Sequence, residues 1–312
     1  YALGVKVMER RAVCAVTNFE ARVLHYHEQA IDTSHKPEAF CDALAAMVRD
    51  LIARTQVPID KLFGVGVGLA GVIYSNKGLV RYSPFFGWSD VPLAAMLQAR
   101  IGLPVIIEND VNTLTITEHL FGAGRHHNDV AVVTIGRGIG MGMIINGQLY
   151  RGAQGGAGEL GHIVVDVERA RRGEAATIEA IAADPVVIEH FQTRNGQASA
   201  TLRTIIEAAQ SGDEYAQMAL QESGETIGMA LSTVINMLSP EMLIISGEGV
   251  VAGEHRLRPM LDALKRYTFD GLMDAVQVVI EPTDDQAWAR GAASLVIGKV
   301  FESPLIEGNP ID

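Results

Sequence analysis

The sequence predicts an α/β fold, because strand-like runs alternate with helical apolar periodicity from end to end, the connections are short, and long linkers are absent. Its 312 residues, 48% of them hydrophobic, supply material for one large or two medium domains with cores of their own.

Tyr1-Ala2-Leu3-Gly4-Val5 opens directly in a strand. It lacks an initiator Met and the basic and apolar regions of a signal peptide, so the chain is expected to be a fragment of a longer protein. Across residues 38–54, Phe40, Leu44, Met47, Val48, Leu51 and Ile52 share one helical face, which predicts an amphipathic helix covering a sheet. Val105-Ile106-Ile107 reads as a buried strand running into Glu108-Asn109-Asp110, and residues 111–121 as a helix stopping at Gly122 and Gly124. The polar pair Asn109-Asp110 then sits at a strand end, the edge where α/β proteins gather ligands because side chains and helix N-termini converge there.

Residues 130–135 and 141–145 flank a glycine-rich turn, and Asn146-Gly147 closes the second run with tight-turn chemistry, so a hairpin begins a second β-rich region. Ile227, Ala230, Leu231, Val234, Ile235 and Leu238 predict a long helix ended by Pro240. A buried strand at 242–245 follows, and Gly247-Glu248-Gly249 leads through Gly253 to helical periodicity at 257–266.

Composition narrows the function. A formal net charge of -12 would repel phosphate backbones, so these residues offer no nucleic-acid surface. The longest apolar stretches fall far short of the roughly 20 residues a membrane span needs, and a soluble, cytoplasmic protein is expected. Cys14 and Cys41, in a predicted strand and a predicted helix, suggest buried thiols rather than a disulfide framework or a metal cluster.

Asn109, Asp110, Glu159 and His162 form a candidate hydroxyl-binding set: carboxylates accept hydrogen bonds from sugar hydroxyls, while Asn and His can both donate and accept. Spacing leaves alternatives open. Asn109-Asp110 is equally an Asx turn capping a helix, Glu159 an exposed loop carboxylate and His162 a core histidine.

Several motifs in order resemble the ROK family of bacterial sugar kinases and sugar-responsive repressors, over nearly the whole chain. Glu108-Asn109-Asp110-Val111-Asn112 is similar to the family's sugar and catalytic-base segment, and Gly155-Gly156-Ala157-Gly158-Glu159-Leu160-Gly161-His162 to its sugar loop. Gly66-Val67-Gly68-Leu69-Ala70-Gly71 and Gly87-Trp88-Ser89-Asp90-Val91-Pro92 resemble two further landmarks. The resemblance implies the actin-like ATPase (ribonuclease H-like) fold, two α/β domains around a cleft. Residues 1–112, completed by a C-terminal helix at 288–312, would form one domain and residues 113–287 the larger second. It also implies sugar contacts by Asn109, Asp110, Glu159, His162, Glu179 and Gly71, with Asp110 the general base if the chain is a kinase.

The kinase pattern fails at three places. The register of the family's first phosphate loop, Asp-x-Gly-Gly-Thr, reads Lys6-Val7-Met8-Glu9-Arg10, which puts bulky side chains and a carboxylate where backbone amides should approach an anion. The second loop, Gly-Thr-Gly in the family, reads Gly136-Arg137-Gly138; Arg137 is either a surface ion-pair partner or a guanidinium filling the vacated phosphate pocket or holding a sugar phosphate. The family's zinc segment, with three cysteines, here reads 170–179 with none, so no metal site is expected and His162 is released from metal duty. His25 and His27 on one strand face, and His126-His127, are expected at surfaces. In Ser83-Pro84-Phe85-Phe86-Gly87, the aromatic pair is either an apolar pocket wall or core packing.

The losses favour a sugar-sensing effector domain of a ROK-type regulator that catalyses nothing and binds no cofactor. Its partners would be a small sugar, operator DNA through a domain absent from this chain, and a second copy in a homodimer or higher homo-oligomer. Phosphoryl transfer depends on positioning and charge neutralisation, which the altered loops remove. The alternative is an ATP-dependent sugar kinase with divergent loops, kept open by Asp110 and by the 247–253 turn, which resembles the family's adenosine-side segment. A ligand-free scaffold would leave four polar groups gathered in a cleft without a partner.

Overall fold

A computed structural model describes residues 1–32, 36–196 and 198–301. The chain opens with β1 (Ala2–Val7), β2 (Arg11–Thr17) and β3 (Val23–Ala30), followed by α1 (Pro37–Arg54), β4 (Val65–Leu69), β5 (Val72–Tyr74), β6 (Leu79–Ser83) and β7 (Trp88–Val91). Then come α2 (Leu93–Ile101), β8 (Val105–Asn109) and α3 (Asp110–Phe121). The middle of the chain runs β9 (Val130–Ile135), β10 (Ile139–Ile145), β11 (Gln148–Leu149), α4 (Val167–Arg171), α5 (Ile178–Ala182), α6 (Asp184–Asn195), α7 (Leu202–Gln210) and α8 (Glu214–Leu238). It closes with β12 (Met242–Gly247), α9 (Glu254–Tyr267), β13 (Gln277–Pro282) and α10 (Asp285–Phe301).

These elements form two compact units. The first holds residues 1–125, the segment Arg151–Ala157 and α10; the second holds His126–Tyr150 and Gly158–Asp284. Because α3 stays whole within the first unit and α10 starts at Asp285, the expected boundaries at 112/113 and 287/288 fall inside helices. Residues 302–312 of the expected terminal helix lie outside the described residues.

The first unit is built on a sheet ordered β3-β2-β1-β4-β8, antiparallel through β1 and parallel from β1 to β8, with a small sheet β5-β6-β7 beside it. Every residue of β1 and β4 is buried, as strands covered on both faces require. The α1 face foreseen from periodicity is buried at Phe40, Leu44, Met47, Val48 and Leu51, in one core with Leu3, Val5, Val65 and Val67. On α10's side of the sheet, contact is so close that a Cβ at Gly4 would overlap the carbonyl of Ala289 and one at Gly66 that of Ala292. Glycine there is a packing requirement, because any side chain would push the helix off the strands.

The second unit has a sheet ordered β11-β10-β9-β12-β13, with β9, β12 and β13 parallel and a β9–β10–β11 meander at its other edge. Asn146 and Gly147, with φ of 53° and 73°, form the tight turn read from the sequence. The long helix is α8, whose Ile227, Ala230, Leu231, Val234 and Ile235 enter the core, and it stops at Ser239, in the left-handed region at φ 44°, just before Pro240. Both cysteines are buried; burial alone pushes the Cys14 thiol up to about 12, and chiefly burial pushes Cys41 to about 11. No described helix is long and apolar enough to cross a membrane. Phe86 resolves the aromatic alternative toward packing: it is buried, with its ring 4.9 Å from that of Trp88, while Phe85 is exposed.

Candidate functional site

In the first unit the chemistry gathers where β1, β4 and β8 end side by side. Register pairs Lys6 with Gly68 and Gly68 with Glu108, so residue 6 and the 108–110 segment lie one strand apart. Asn109 ends β8, and its side-chain oxygen accepts the N–H groups of Val111 at 2.9 Å and Asn112 at 3.3 Å, which caps α3. Its amide nitrogen donates to the carbonyl of Gly71 at 3.1 Å. The helix-cap reading of Asn109 is therefore realised, and Gly71 is engaged through its backbone.

Asp110 occupies the first turn of α3, where a negative charge meets the helix dipole favourably. One carboxylate oxygen accepts the Val111 N–H at 3.0 Å, and the other takes an ion pair from the ammonium of Lys6. Both side chains are largely buried, 9% exposed for Lys6 and 14% for Asp110, and the ammonium lies 4.4 Å from the centre of the Trp288 ring. Lys6 thus neutralises the Asp110 carboxylate.

Glu108 carries a second buried charge. It is fully buried and accepts from the Asn109 N–H at 2.9 Å, the Asn112 side-chain amide at 3.1 Å and Arg151 Nε at 2.6 Å. Paired and hydrogen-bonded, it meets the condition under which a buried carboxylate is tolerated. Sequence reading gave Glu108 no role and missed Arg151 and Trp288, since nothing local to residues 151 or 288 marks a partner far away in the chain.

The second unit holds the rest of the predicted set. Leu160, Gly161 and His162 make a single 3₁₀ turn, with Leu160 buried in the core. Glu159 and His162 turn outward, with side chains 48% and 69% exposed and His162 Nε2 3.9 Å from Glu159 Oε2. The core-histidine alternative for His162 is overturned by that exposure. Glu179, in the first turn of Thr177-capped α5, accepts the Ile139 N–H at 3.0 Å and lies beside Gly161, where a Cβ would be 3.0 Å from its oxygen. Within this unit Glu159, His162 and Glu179 share one loop cluster.

No cysteine is available to hold that loop, and backbone hydrogen bonds do so instead. Val165 N–H donates to Ala176 at 2.9 Å and Ile178 N–H to Ile163 at 3.0 Å, around an antiparallel bridge between Val164 and Thr177. Arg172 hydrogen-bonds Glu174, which, with Arg169 nearby, holds that carboxyl below its ordinary range. Among the described residues no group of three or more His, Cys, Asp or Glu could hold a metal ion.

The glycine loop between β9 and β10 is met from within the chain. Arg137 N–H donates to Glu248 Oε1 at 3.2 Å, and Ile139 N–H donates to Glu179. The Arg137 side chain is exposed. Carboxylates answer these two backbone amides of the turn.

Solved structures with this architecture include sugar kinases and a transcriptional regulator, and the fold is that of the actin-like ATPases. The chain belongs to the ROK family, whose model matches residues 2–299. It is 28% identical over 302 residues to the xylose repressor of Bacillus spizizenii, covering 95% of this chain and 77% of that protein. It is 31% identical over 248 residues to the glucokinase of Thermotoga maritima, covering 74% and 78%. A ROK family glucokinase from Streptomyces griseus, solved with glucose and AMPPNP, superposes with a TM-score of 0.80 at 28% identity, covering 94% of this chain and 98% of that one. A ROK transcriptional regulator, homologous to the Escherichia coli MLC protein, superposes at 0.84 with 21% identity over 95% and 77%, a likeness of fold. Repressors and kinases thus stand equally near.

Proposed function

We propose that this chain is the sugar-sensing effector region of a ROK-type transcriptional regulator and that it does not phosphorylate the sugar it binds. The observation that carries this reading is the Lys6–Asp110 ion pair. A general base must reach a substrate hydroxyl with an available oxygen and take its proton. Here one oxygen of Asp110 faces an ammonium and the other a backbone N–H. Phosphoryl transfer also needs positive charge and amides on the phosphates, whereas this ammonium is turned onto Asp110.

A regulator needs only a ligand with different affinities for two conformations, and hydroxyl contacts suffice for that. In this reading Asn109, Asp110, Glu159, His162 and Glu179 engage a monosaccharide or a derivative, with the Gly71 carbonyl fixing Asn109. The response would pass to operator DNA through a DNA-binding domain outside these residues, in a cytoplasmic homodimer or higher homo-oligomer. A second reading, a sugar kinase with divergent loops, is supported by retention of Asp110 and by glucokinase relatives as similar as the repressors.

A coupled ADP-release assay with D-xylose, D-glucose and N-acetylglucosamine separates the two. We expect no turnover, together with sugar-dependent thermal stabilisation; a ligand at 100 times its dissociation constant adds about 2.7 kcal/mol. Sustained turnover abolished by Asp110→Asn would overturn the regulator reading and install the kinase.

A further inference from the structure

The turn between β9 and β10 has the chemistry of an anion nest. Its glycines leave room for an acceptor to come close to the backbone N–H groups. The Gly136 N–H is turned inward to the Gly138 carbonyl at 3.1 Å, whereas the Arg137 and Ile139 N–H groups donate to acceptors from outside the turn. Both are already met by carboxylates. Glu248, from the turn after β12, accepts from Arg137 at 3.2 Å, and Glu179, from the start of α5, accepts from Ile139 at 3.0 Å. The glycines are spatially required by these side chains: a Cβ at Gly136 would collide with the Glu248 carboxyl, and one at Gly138 would stand 2.8 Å from a Glu179 oxygen.

Glu248 also lines a pocket of about 730 Å³, within the size range of small-molecule sites, together with Arg137. Pro185, Ile188, Leu202, Ile206 and Val251 give it an apolar wall. The other acid on its lining beside the loop, Asp184, is buried and paired with Arg256 at 2.6 Å, and its N–H donates to the Gly136 carbonyl at 2.9 Å. Asp184 therefore braces the turn, and Glu248 is the carboxylate that stands between the pocket and the nest.

We propose that the β9–β10 turn is an anion-binding nest which the chain fills with its own carboxylates, and that Glu248 is the residue that closes the adjoining pocket to phosphate-bearing ligands. A phosphate entering this turn would have to displace Glu248 and then sit against its like charge, so ligands of this pocket lack phosphate. The proposal rests on contacts within the second unit alone and does not depend on the sensing reading.

The test is binding of pyrophosphate and of ADP, without metal, to the wild-type chain and to Glu248→Ala, followed by calorimetry and thermal shift. The wild type should bind neither, and Glu248→Ala should gain affinity for both by at least about tenfold, the scale of one charge-assisted hydrogen bond regained and one like charge removed. Glu248→Gln, which keeps a carbonyl oxygen for the Arg137 N–H but drops the charge, should fall between them. Glu248→Ser leaves the nest open in the same way should the alanine variant fail to fold. Pyrophosphate or ADP binding by the wild type as tight as by Glu248→Ala would overturn the proposal, and so would folded variants that gain nothing. Either result would leave sugar binding, measured separately with D-xylose and N-acetylglucosamine, untouched.

Discussion

The two turns that the family resemblance marks as phosphate loops are met by opposite charges in this chain. The turn after β1 has no glycine, and a cation stands beside it: Lys6 reaches across the sheet to Asp110 and lies over Trp288. The turn between β9 and β10 is glycine-rich and is met by anions: Glu248 and Glu179 accept from the amides of Arg137 and Ile139. A glycine turn records only that something must come close to the backbone. Which group comes close is decided by residues more than 30 positions away, and here it is the protein's own carboxylate.

That contrast can be broken most forcefully at the brace of the second loop. Arg256 is fully buried and its charge is answered by Asp184, with the Gly249 carbonyl at 3.1 Å as a further acceptor. Asp184→Ala strands that charge and should cost about 3–5 kcal/mol in chemical denaturation, loosening the β9–β10 turn with it. A loss below about 1 kcal/mol, the scale of an ordinary exposed pair, would show that the turn stands without this brace.

The first loop yields a smaller effect with a sharper signature. Lys6→Met leaves Asp110 without its cation, and Asp110→Asn leaves Lys6 without its anion, so each single change should destabilise while the double change recovers part of the loss. A double-mutant cycle should return a coupling of about 1–3 kcal/mol, the range of contacting residues that share a network. Additive losses would mean that the pair contributes nothing specific, and the contrast between a cation-filled and an anion-filled loop would lose its first half.

The smallest effect is expected at Glu179→Gln, which keeps an acceptor for the Ile139 N–H and removes only the charge. Equilibrium unfolding should register a cost of about 1 kcal/mol or less, since a neutral hydrogen bond replaces a charge-assisted one. A much larger loss would indicate that the charge, rather than the acceptor, holds the Glu159–His162 turn against β10.

Much was legible before any coordinates. Apolar periodicity located α1, α8 and the β8–α3 junction, because burial of one face leaves a repeat that short windows detect. The family resemblance marked Lys6, Arg137 and segment 170–179 as the places where a kinase pattern fails. Less legible was what replaced the lost parts. Arg151, Glu248 and Trp288 lack any local signal, since their partners Glu108, Arg137 and Lys6 lie 43, 111 and 282 positions away by residue number. Which unit a helix joins is equally non-local: it belongs to the unit whose core it packs into, and α3 and α10 pack together against the first sheet.

The sequence by itself determined the α/β class, the strand-end position of Asn109-Asp110 and the absence of cysteine from residues 170–179, all properties of residue identity and short-range period. Only the tertiary structure decided that Lys6 answers Asp110, that Asn109 is committed to capping α3 and to Gly71, and that Glu248 and Glu179 fill the glycine turn. Those are matters of charge and hydrogen-bond satisfaction among groups brought together by sheet register. A buried charge must find its partner in space, and spacing along the chain does not name that partner.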